Sequence, residues 1–292
     1  MSHIVSQGGK QGGNLAPGLY LIATPIGAAR DITLRALDIL AAADVLAAED
    51  TRTLRHLMEI HGIALGGRPL VAYHDHTTGV GEQKIVQAIA EGKSVVYASE
   101  AGTPLISDPG FQLGRAVVAA GHLLISAPGP SAVLCALTLS GLPTDRFLFA
   151  GFPPSTSAAR RSFLQEMNAL PATLIMYESP KRVNRLLTDL CDIMGNQRQG
   201  AVCRELTKRF EEVSRGTLAE LAAAFDGRDV KGEIVVLVDR AAAQAASAET
   251  LGTALDKALA QMSVKDAVAS VASAYGAARR DVYQMALSRG AK

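Results

Sequence analysis

Three loops rich in glycine and proline are the segments of this sequence best suited to holding a ligand. They read TPIG (24–27), SEAGTPLISDPG (99–110) and APGPSA (127–132). Glycine lets a ligand approach the backbone closely, while proline fixes the chain path and removes a hydrogen-bond donor. A single Gly-Pro pair is usually an ordinary turn. Three such loops at successive strand ends predict a pocket for a flat ligand that is held largely through backbone groups.

The elements that position these loops alternate between short apolar strands and helices. In the first half of the chain we predict strands at 19–23, 45–48, 71–73, 94–98 and 123–126, with helices at 33–43, 51–58, 81–90 and 112–120. This alternation favours parallel strands joined by crossover helices. The polar loops follow the strand ends, which is the edge where open α/β sheets bind ligands.

A second α/β unit follows the Pro-Gly-Pro turn, and a helical tail follows that unit. Its predicted strands are 146–151, 173–177, 199–204 and 233–238, and its helices are 157–169, 181–193 and 218–224. A linker precedes tail helices at 250–260, 264–275 and 280–288. We therefore predict a flexible leader (1–17), an N-terminal α/β domain (18–129), a C-terminal α/β domain (130–241), and a linker with a helical tail (242–292).

Composition excludes several classes of protein. In 292 residues, 48% are hydrophobic and 20% are charged, so disorder is excluded as the main state. A net charge of +1 disfavours a wholly basic nucleic-acid wrapper, and 4% aromatic residues without Trp disfavour a base-stacking platform. The longest stretch without Asp, Glu, Lys or Arg, 116–144, is broken by Gly121 and by the Pro-Gly-Pro turn, so we do not expect it to span a membrane.

Cysteine and histidine placement indicates neither disulfides nor a metal site. Cys135, Cys191 and Cys203 lie far apart without a CxxC pair, which is typical of a protein from a reducing cytoplasm. His74 and His76 are near neighbours, but no second cluster completes a zinc site.

The usual nucleotide-binding and hydrolase signatures are absent. The chain has neither GxGxxG nor GxSxG. The segment 92–94 (GKS) is similar to the end of a phosphate-binding loop, but Gln87 stands where the first glycine is required. Its predicted context is also reversed, with a helix before it and a strand after it.

Three further motifs, together with these loops, carry a resemblance to a known family. They are YESPKR (177–182), RELTKRFEEVSRGTL (204–218) and KGEIVVLV (231–238). Together they resemble the tetrapyrrole methylase superfamily and, within it, the ribosomal RNA small subunit methyltransferase I branch. The resemblance runs from about residue 19 to residue 238 and continues more weakly through the tail.

The resemblance implies two α/β domains of the tetrapyrrole methylase type, with S-adenosylmethionine in the cleft between them. The implied reaction is methylation of a cytidine ribose 2′-hydroxyl in 16S rRNA near the decoding centre of the 30S subunit, by a cytoplasmic homodimer. Carried over position by position, the expected cofactor-binding residues are Pro25, Gly27, Ala101, Gly102, Thr103, Pro104, Ser131, Ala132 and Gly232.

A general base would help this reaction, because a ribose hydroxyl is a weak acid. The candidates are Glu49, Asp50, His74 and Glu178, with His76 beside them. Each also has a structural explanation: an acidic residue at 49 or 50 would cap the next helix, and His74 would fix a loop. A mechanism without a dedicated base stays open.

Basic residues near the expected pocket and in the tail are candidates for RNA phosphate contacts, since guanidinium groups suit phosphate. They are Arg52, Lys181, Arg182, Arg204, Lys208, Arg209, Arg279 and Arg280. Arg160 and Arg161 form a further basic pair. For any single cluster, a solvated helix face is the alternative explanation.

The chain departs from the family pattern in four places. Ala28 replaces Asn, Glu100 replaces Asp, Lys181 replaces His, and residues 77–78 are Thr-Thr where Asn-Glu is usual. These departures affect RNA selection more than cofactor binding. Two other functions stay open: a small-molecule methylase for a tetrapyrrole or corrin precursor, and a non-catalytic RNA-binding module.

Overall fold

The chain folds around two five-stranded sheets, in a computed structural model that describes residues 14–74, 80–241 and 248–289. The first sheet is parallel and has the strand order β3-β2-β4-β1-β5. Its strands are β1 (Gly18–Ile22), β2 (Val45–Ala48), β3 (Leu70–Ala72), β4 (Ser94–Ala98) and β5 (Leu124–Ala127). The connecting helices are α1 (Leu34–Ala42), α2 (Thr51–Ile60), α3 (Val80–Ala90) and α4 (Phe111–Ala119).

The apolar runs of the first sheet are continuous because helices cover both of its faces. Alternate residues of one strand enter different cores: Val96 packs with α1 and α2, whereas Val95 and Tyr97 pack with α3 and α4. All five residues of β4 are buried, as expected for the centre of a parallel sheet.

The second sheet is mixed and has the strand order β6-β7-β10-β8-β9. Only β6 and β7 pair in parallel; the other three pairings are antiparallel. The strands are β6 (Phe147–Phe149), β7 (Thr173–Glu178), β8 (Gln199–Arg204), β9 (Glu212–Thr217) and β10 (Ile234–Val238). The accompanying helices are α5 (Ala132–Ser140), α6 (Ser157–Met167), α7 (Val183–Met194) and α8 (Leu218–Phe225).

Helix α5 links the two sheets. It follows β5 of the first sheet directly, yet Ala136 and Leu137 pack against β8 and β10 of the second sheet. The opposite face of that sheet is covered by a core that α6, α7 and α8 share. The chain between 127 and 132 therefore passes from one sheet to the other, beside the predicted ligand loop.

The last helices pack on one another around a small core of their own. They are α9 (Ala248–Leu259), α10 (Val264–Tyr275) and α11 (Arg279–Ser288). Leu255, Val271 and Val282, one from each helix, are buried together. Gly276 in the left-handed conformation ends α10, and Ser263 caps its start.

The sequence predicted the strands well and missed one. Strands β2, β4 and β8 have the predicted bounds, and the α/β class with C-terminal helices is confirmed. The strand β9 was not predicted, because EVSRGT lies at a sheet edge, is half-buried except for the exposed Arg215, and lacks an apolar alternation. The predicted strand 146–151 is shorter, at Phe147–Phe149.

Residues 1–13, 75–79, 242–247 and 290–292 lie outside the described residues. Most of the predicted leader, most of the linker, His76 and the Thr-Thr departure at 77–78 fall there. Within the described residues, no helix is long and apolar enough to cross a membrane. The stretch 116–144 instead contains the end of α4, strand β5, a loop and α5. The described residues also contain no group of three or more metal-ligating side chains.

Candidate active site

A cavity of about 650 Å³ lies where the loops of the first sheet meet the second sheet. One wall, which we call the first wall, consists of residues 25–27 after β1, Glu49 and Thr53 after β2, residues 100–103 and 106–108 after β4, and the start of α5. The end of β7, residues 206–208 and the start of β10 form the other, the second wall. The volume is in the range of small-molecule sites.

Backbone and side-chain hydrogen bonds fix the long loop after β4. Thr24 and Gly102 exchange both backbone N–H···O bonds, at 2.9 and 3.0 Å, so the loop is tied to the end of β1. The Thr103 hydroxyl donates to the Pro130 carbonyl at 2.9 Å, which ties the loop to the third loop. The Tyr97 hydroxyl donates to the Pro109 carbonyl at 3.0 Å. The three glycine- and proline-rich loops are therefore one bonded unit.

The same loop holds strained backbone. Leu105 and Ser107 have φ angles of 71° and 59°, a region that costs a residue with a Cβ free energy. Such strain persists only where surrounding contacts over-determine the conformation, and it is common at functional sites. Gly110, with φ at 113°, closes the loop against the Tyr97 ring, where a Cβ would lie 2.6 Å from a ring carbon.

The two walls also touch directly. The Ala28 backbone N–H donates to the Thr207 hydroxyl at 3.1 Å. A Cβ on Gly27 would lie 2.5 Å from Cγ of Lys208, so glycine is needed there for the close approach. Ala28 therefore contributes its backbone N–H, a contact that does not depend on the side chain at that position.

The cavity is predominantly acidic. Among the described residues that line it, one lysine, Lys208, is accompanied by five carboxylates: Glu49, Glu100, Asp108, Glu178 and Glu233. Lys208 itself bonds to Glu205 and Glu233, each at 3.0 Å. The excess of negative charge favours a cationic ligand over an anionic one.

Asp108 is the acid of the first wall whose pKa departs most from its ordinary value. Burial, followed by the negative charge of Glu49, raises the pKa of Asp108 to about 6, although a hydrogen bond from Ser99 opposes the shift. Glu100 contributes a smaller repulsion. Burial is the main cause that raises the pKa of Tyr177, across the cavity, to about 12, and the negative charge of Asp108 adds to this shift.

Glu178 is held differently. Its side chain is fully buried, and Oε1 accepts from the Ser179 backbone N–H at 2.6 Å and from Arg182 Nε at 2.7 Å. The second oxygen, Oε2, is buried and has no hydrogen-bond partner among the described residues. A ligand donor in the cavity would satisfy it.

The structure brings most of the expected cofactor residues together. Eight of the nine line this one cavity; Pro104 is buried beside it. Of the base candidates, Glu49 and Glu178 line the cavity. Asp50 instead caps α2 and bonds Arg52 at 2.8 Å, and this contact lowers its pKa to about 2. His74 is exposed and is not among the lining residues.

The expected RNA-binding residues fall into two groups. Arg182, Arg204 and Lys208 are engaged in ion pairs with Glu178, Glu212 and Glu205. The exposed group consists of Arg52, Lys181, Arg209, Arg279 and Arg280.

The further basic pair, Arg160 and Arg161, is structural. Arg160 is buried and bonds Asp189 at 2.7 Å, and Arg161 bonds the same carboxylate.

Sequence reasoning missed Asp108, Tyr177 and Phe152 as cavity residues. Asp108 stands in a Ser-Asp-Pro-Gly segment that is also ordinary turn composition, and its burial depends on the distant Tyr177 wall. The available signal was its position in the same loop as four expected cofactor residues.

Comparison with known proteins shows the family to which this chain belongs. Residues 18–222 match the family described as Tetrapyrrole (Corrin/Porphyrin) Methylases. The chain belongs to the tetrapyrrole methylase family. Residues 240–290 match a second family, described as the RsmI C-terminal HTH domain, so the three last helices of this methylase are similar to a helix-turn-helix unit.

Curated relatives of this methylase are similar along most of their length. A protein of Mesorhizobium japonicum is 45% identical over 94% of this chain and 92% of its own. One from Pseudomonas aeruginosa is 41% identical over 94% of this chain and 98% of its own. Both are named "Ribosomal RNA small subunit methyltransferase I".

Solved structures support the fold of the two sheets. The methyltransferase CobJ has a TM-score of 0.59 at 21% identity, covering 77% of this chain and 95% of its own. Cobalt precorrin-4 methyltransferase CbiF has a TM-score of 0.57 at 16% identity, covering 76% of this chain and 94% of its own.

As a member of a methylase family, the chain is a methyltransferase, with S-adenosylmethionine as methyl donor. Two observations fit that cofactor. The acid-lined cavity suits a molecule that carries a sulfonium and an ammonium group. The orphaned Glu178 Oε2 is a buried acceptor in the same wall.

Proposed function

We propose that this protein transfers the methyl group of S-adenosylmethionine to the ribose 2′-hydroxyl of a cytidine in small-subunit (16S) rRNA, near the decoding centre. The observation that supports this most strongly is the combination of a methylase cavity with a separate helix-turn-helix unit in one chain. A methylase for small tetrapyrroles has no need of a nucleic-acid-binding unit. The names of the relatives point to the same substrate.

In this proposal the glycine- and proline-rich loops hold the cofactor. Gly27, Ala101, Thr103, Ser131 and Gly232 border it through backbone groups, and S-adenosylmethionine supplies an activated methyl group when bound. The protein must then align donor and acceptor at about 3–3.5 Å, which is the largest contribution available to it. The bonded unit of three loops supports this role, because it fixes the first wall before any ligand arrives.

The RNA is contacted outside the cavity, by exposed basic residues. Arg279 and Arg280 begin α11, the last helix of the helix-turn-helix unit, and both are exposed. The ring of Tyr283, one turn later, is 46% exposed and can stack on an unpaired base. Lys181 and Arg209 lie close in sequence to residues of the second wall.

A methyl-transfer assay tests the proposed reaction. Tritium from labelled S-adenosylmethionine is expected on 30S subunits that lack their own modification, with nuclease mapping placing it on one ribose 2′-oxygen. Transfer to a tetrapyrrole precursor instead of to RNA would replace this function with the small-molecule one. Absence of cofactor binding in calorimetry would favour the non-catalytic module.

A substitution in α11 tests the RNA contact. The double variant Arg279→Ala/Arg280→Ala should bind 30S subunits more weakly and lower the slope of log affinity against log salt by about 2, since each phosphate contact adds about 1. Its affinity for S-adenosylmethionine should not change. Lys93→Ala, an exposed lysine of the first domain, is the control. Equal salt slopes in both variants would contradict the assignment.

The substrate is the assembled 30S particle, because a chain with a net charge of +1 is poorly suited to tight binding of free RNA. Equal methylation rates on purified rRNA and on 30S subunits would contradict this. We also propose a cytoplasmic protein, supported by three free cysteines, and retain 18–129 and 130–241 as its two α/β domains.

A homodimer completes the proposal. Four large apolar side chains on or beside α4 and β5 are exposed: Phe111, Val118, Leu123 and Leu124. Exposed apolar clusters of this kind mark protein contacts. Light scattering coupled to size-exclusion chromatography should give twice the mass of one chain, and Val118→Glu should reduce it to a single chain.

A further inference from the structure

The first wall of the cavity contains an acid that lacks a counter-ion. Glu49 at the end of β2, Glu100 at the end of β4, and Asp108 all line the cavity. Among the described residues, no Lys, Arg or His nitrogen forms an ion pair with Asp108. The charges that face it from the neighbouring elements are those of Glu49 and Glu100, and the groups beside it are the Ser99 hydroxyl and the Tyr177 phenol of β7.

Contacts on both sides of Asp108 define its backbone. Ser107 directly before it is left-handed, and Pro109 directly after it accepts the Tyr97 hydroxyl through its carbonyl. Gly110 then begins α4 against the Tyr97 ring. A carboxylate placed in this way keeps its position without an ion pair, which is the arrangement that proton transfer requires.

The other acids of the site are less available. Glu178 is bound through Oε1 to Arg182, and Glu233 is bound to Lys208. Glu100 is exposed, and Asp50 lies outside the lining and is bound to Arg52. Glu49 lies within reach of the Glu100 backbone N–H, at 3.4 Å from Oε2. Asp108 is the lining carboxylate that combines partial burial, like-charged neighbours and a fixed backbone.

We propose that the carboxylate of Asp108 accepts the proton of the acceptor hydroxyl during methyl transfer, and that the neighbouring Glu49 carboxylate makes Asp108 a stronger base. The assignment rests on the proposed function, in which the acceptor is a ribose 2′-hydroxyl. The proton leaves the 2′-oxygen for the Asp108 carboxylate, and the oxygen forms the new bond to the methyl carbon. The electron pair of the broken C–S bond stays on sulfur, so the sulfonium becomes a neutral thioether.

The electrostatics of the wall supports this role. With its pKa raised to about 6 by burial and by Glu49, Asp108 is mostly ionised at pH 7 yet more basic than an ordinary aspartate. A base is most effective when its pKa lies near the working pH. The rate should therefore rise as pH passes through about 6.

The test compares the wild type with Asp108→Asn. The substitution should lower kcat by about 10²–10⁴-fold, the usual contribution of a general base. Calorimetry should still detect binding of S-adenosylmethionine, which shows that the variant is folded, with an affinity weakened by the loss of one lining negative charge. The rate is therefore compared at saturating cofactor. Asp229→Asn, on the surface, is the matched control, and Asp108→Glu should restore part of the rate.

A second variant tests the tuning. Glu49→Gln removes a like charge beside Asp108, so the acid limb of the rate profile should move to lower pH. Carbon NMR of the carboxyl groups gives a readout that is independent of activity. A resonance titrating near pH 6 should be present in the wild type, shifted in Glu49→Gln and missing in Asp108→Asn.

The outcomes separate this inference from the proposed function. If the wild type methylates an rRNA ribose and Asp108→Asn does so at a similar rate, Asp108 is not the base, while the function stands. If the wild-type resonance that is absent from Asp108→Asn titrates below pH 5, Asp108 does not have the raised pKa that this assignment requires. If the wild type methylates no ribose, the proposed function fails and this assignment fails with it.

Discussion

The acids of the two α/β domains stand in opposite environments. In the first wall, Glu49, Glu100 and Asp108 lie near one another, without a cation bound to Asp108. Around the second wall, Glu178 pairs with Arg182 and Glu205 pairs with Lys208. Among the described residues, the carboxylates that line the first wall have no ion-pair partner, whereas Glu178, Glu205 and Glu233 on the second side each have one.

This difference separates two uses of charge. A buried ion pair fixes geometry, and removing one partner leaves an uncompensated charge. Carboxylates that share a partly buried site raise one another's pKa, and a carboxylate with a raised pKa is a stronger base for proton transfer. In the proposed function the first wall both holds the cofactor and supplies the base, whereas the ion pairs of the second wall fix the opposite side of the cavity. Substitutions in the two walls should change stability in opposite directions.

The largest effect is expected from breaking the ion pair of Glu178. Arg182→Met leaves a fully buried carboxylate without its cation. The free energy of unfolding should fall by about 3–5 kcal/mol, as for other buried pairs that lose one member. Urea denaturation of this variant should be compared with that of Arg185→Met, an exposed arginine in α7, the helix that follows Arg182 directly. Equal midpoints for the two variants would show that the second wall does not depend on the pair.

Asp108→Asn should change the free energy of unfolding in the opposite direction and stabilise the protein. The folded protein holds this proton between pH 3.8 and about 6 while the unfolded chain releases it, so wild-type stability falls as pH rises through that window. The substitution removes this loss, and at pH 8 the variant should be more stable by about 1 kcal/mol, a figure reduced for the group's partial exposure. At pH 3.5 the two proteins should be nearly equal. Thermal unfolding at both pH values is the measurement; a destabilised variant at pH 8 would contradict the interpretation of the first wall.

The smallest effect concerns Glu212 in the second domain. The hydrogen bond from Arg228 is the main cause that lowers its pKa from the ordinary 4.5 to about 2; burial opposes this shift, and Arg204 adds to it. The stability from these contacts is present above pH 4.5 and is lost as pH falls toward 2. Because both side chains are partly exposed to solvent, Arg228→Met should cost less than about 1 kcal/mol at pH 7, and this cost should vanish as the pH falls through about 2. Denaturation of this variant and of Arg209→Met, at both pH values, would detect the difference.

Much of the fold followed from the sequence because its strands are buried on both sides. Val95, Val96 and Tyr97 form part of a continuous apolar run that only a central strand requires, and β4 has the predicted bounds. The strand β9 could not be found in this way, because its partly exposed residues gain their structure from pairing with β8.

For the site, the sequence by itself determined where the ligand loops lie. Gly27, Gly102 and the Pro-Gly-Pro turn are local signals, since their backbone properties do not depend on distant residues. Their convergence on one cavity followed from the parallel topology, which brings the ends of β1 and β4 to one edge.

Only the tertiary structure decided what each acid can do. Asp50 and Asp108 are both acids in loops that precede helices, yet one is bonded to Arg52 and the other faces Glu49. The pKa of Asp50 is held at about 2 and that of Asp108 is raised to about 6. A carboxylate's protonation depends on burial and on charges within a few ångströms, and the folded chain draws those neighbours from β2, β4 and β7 at once.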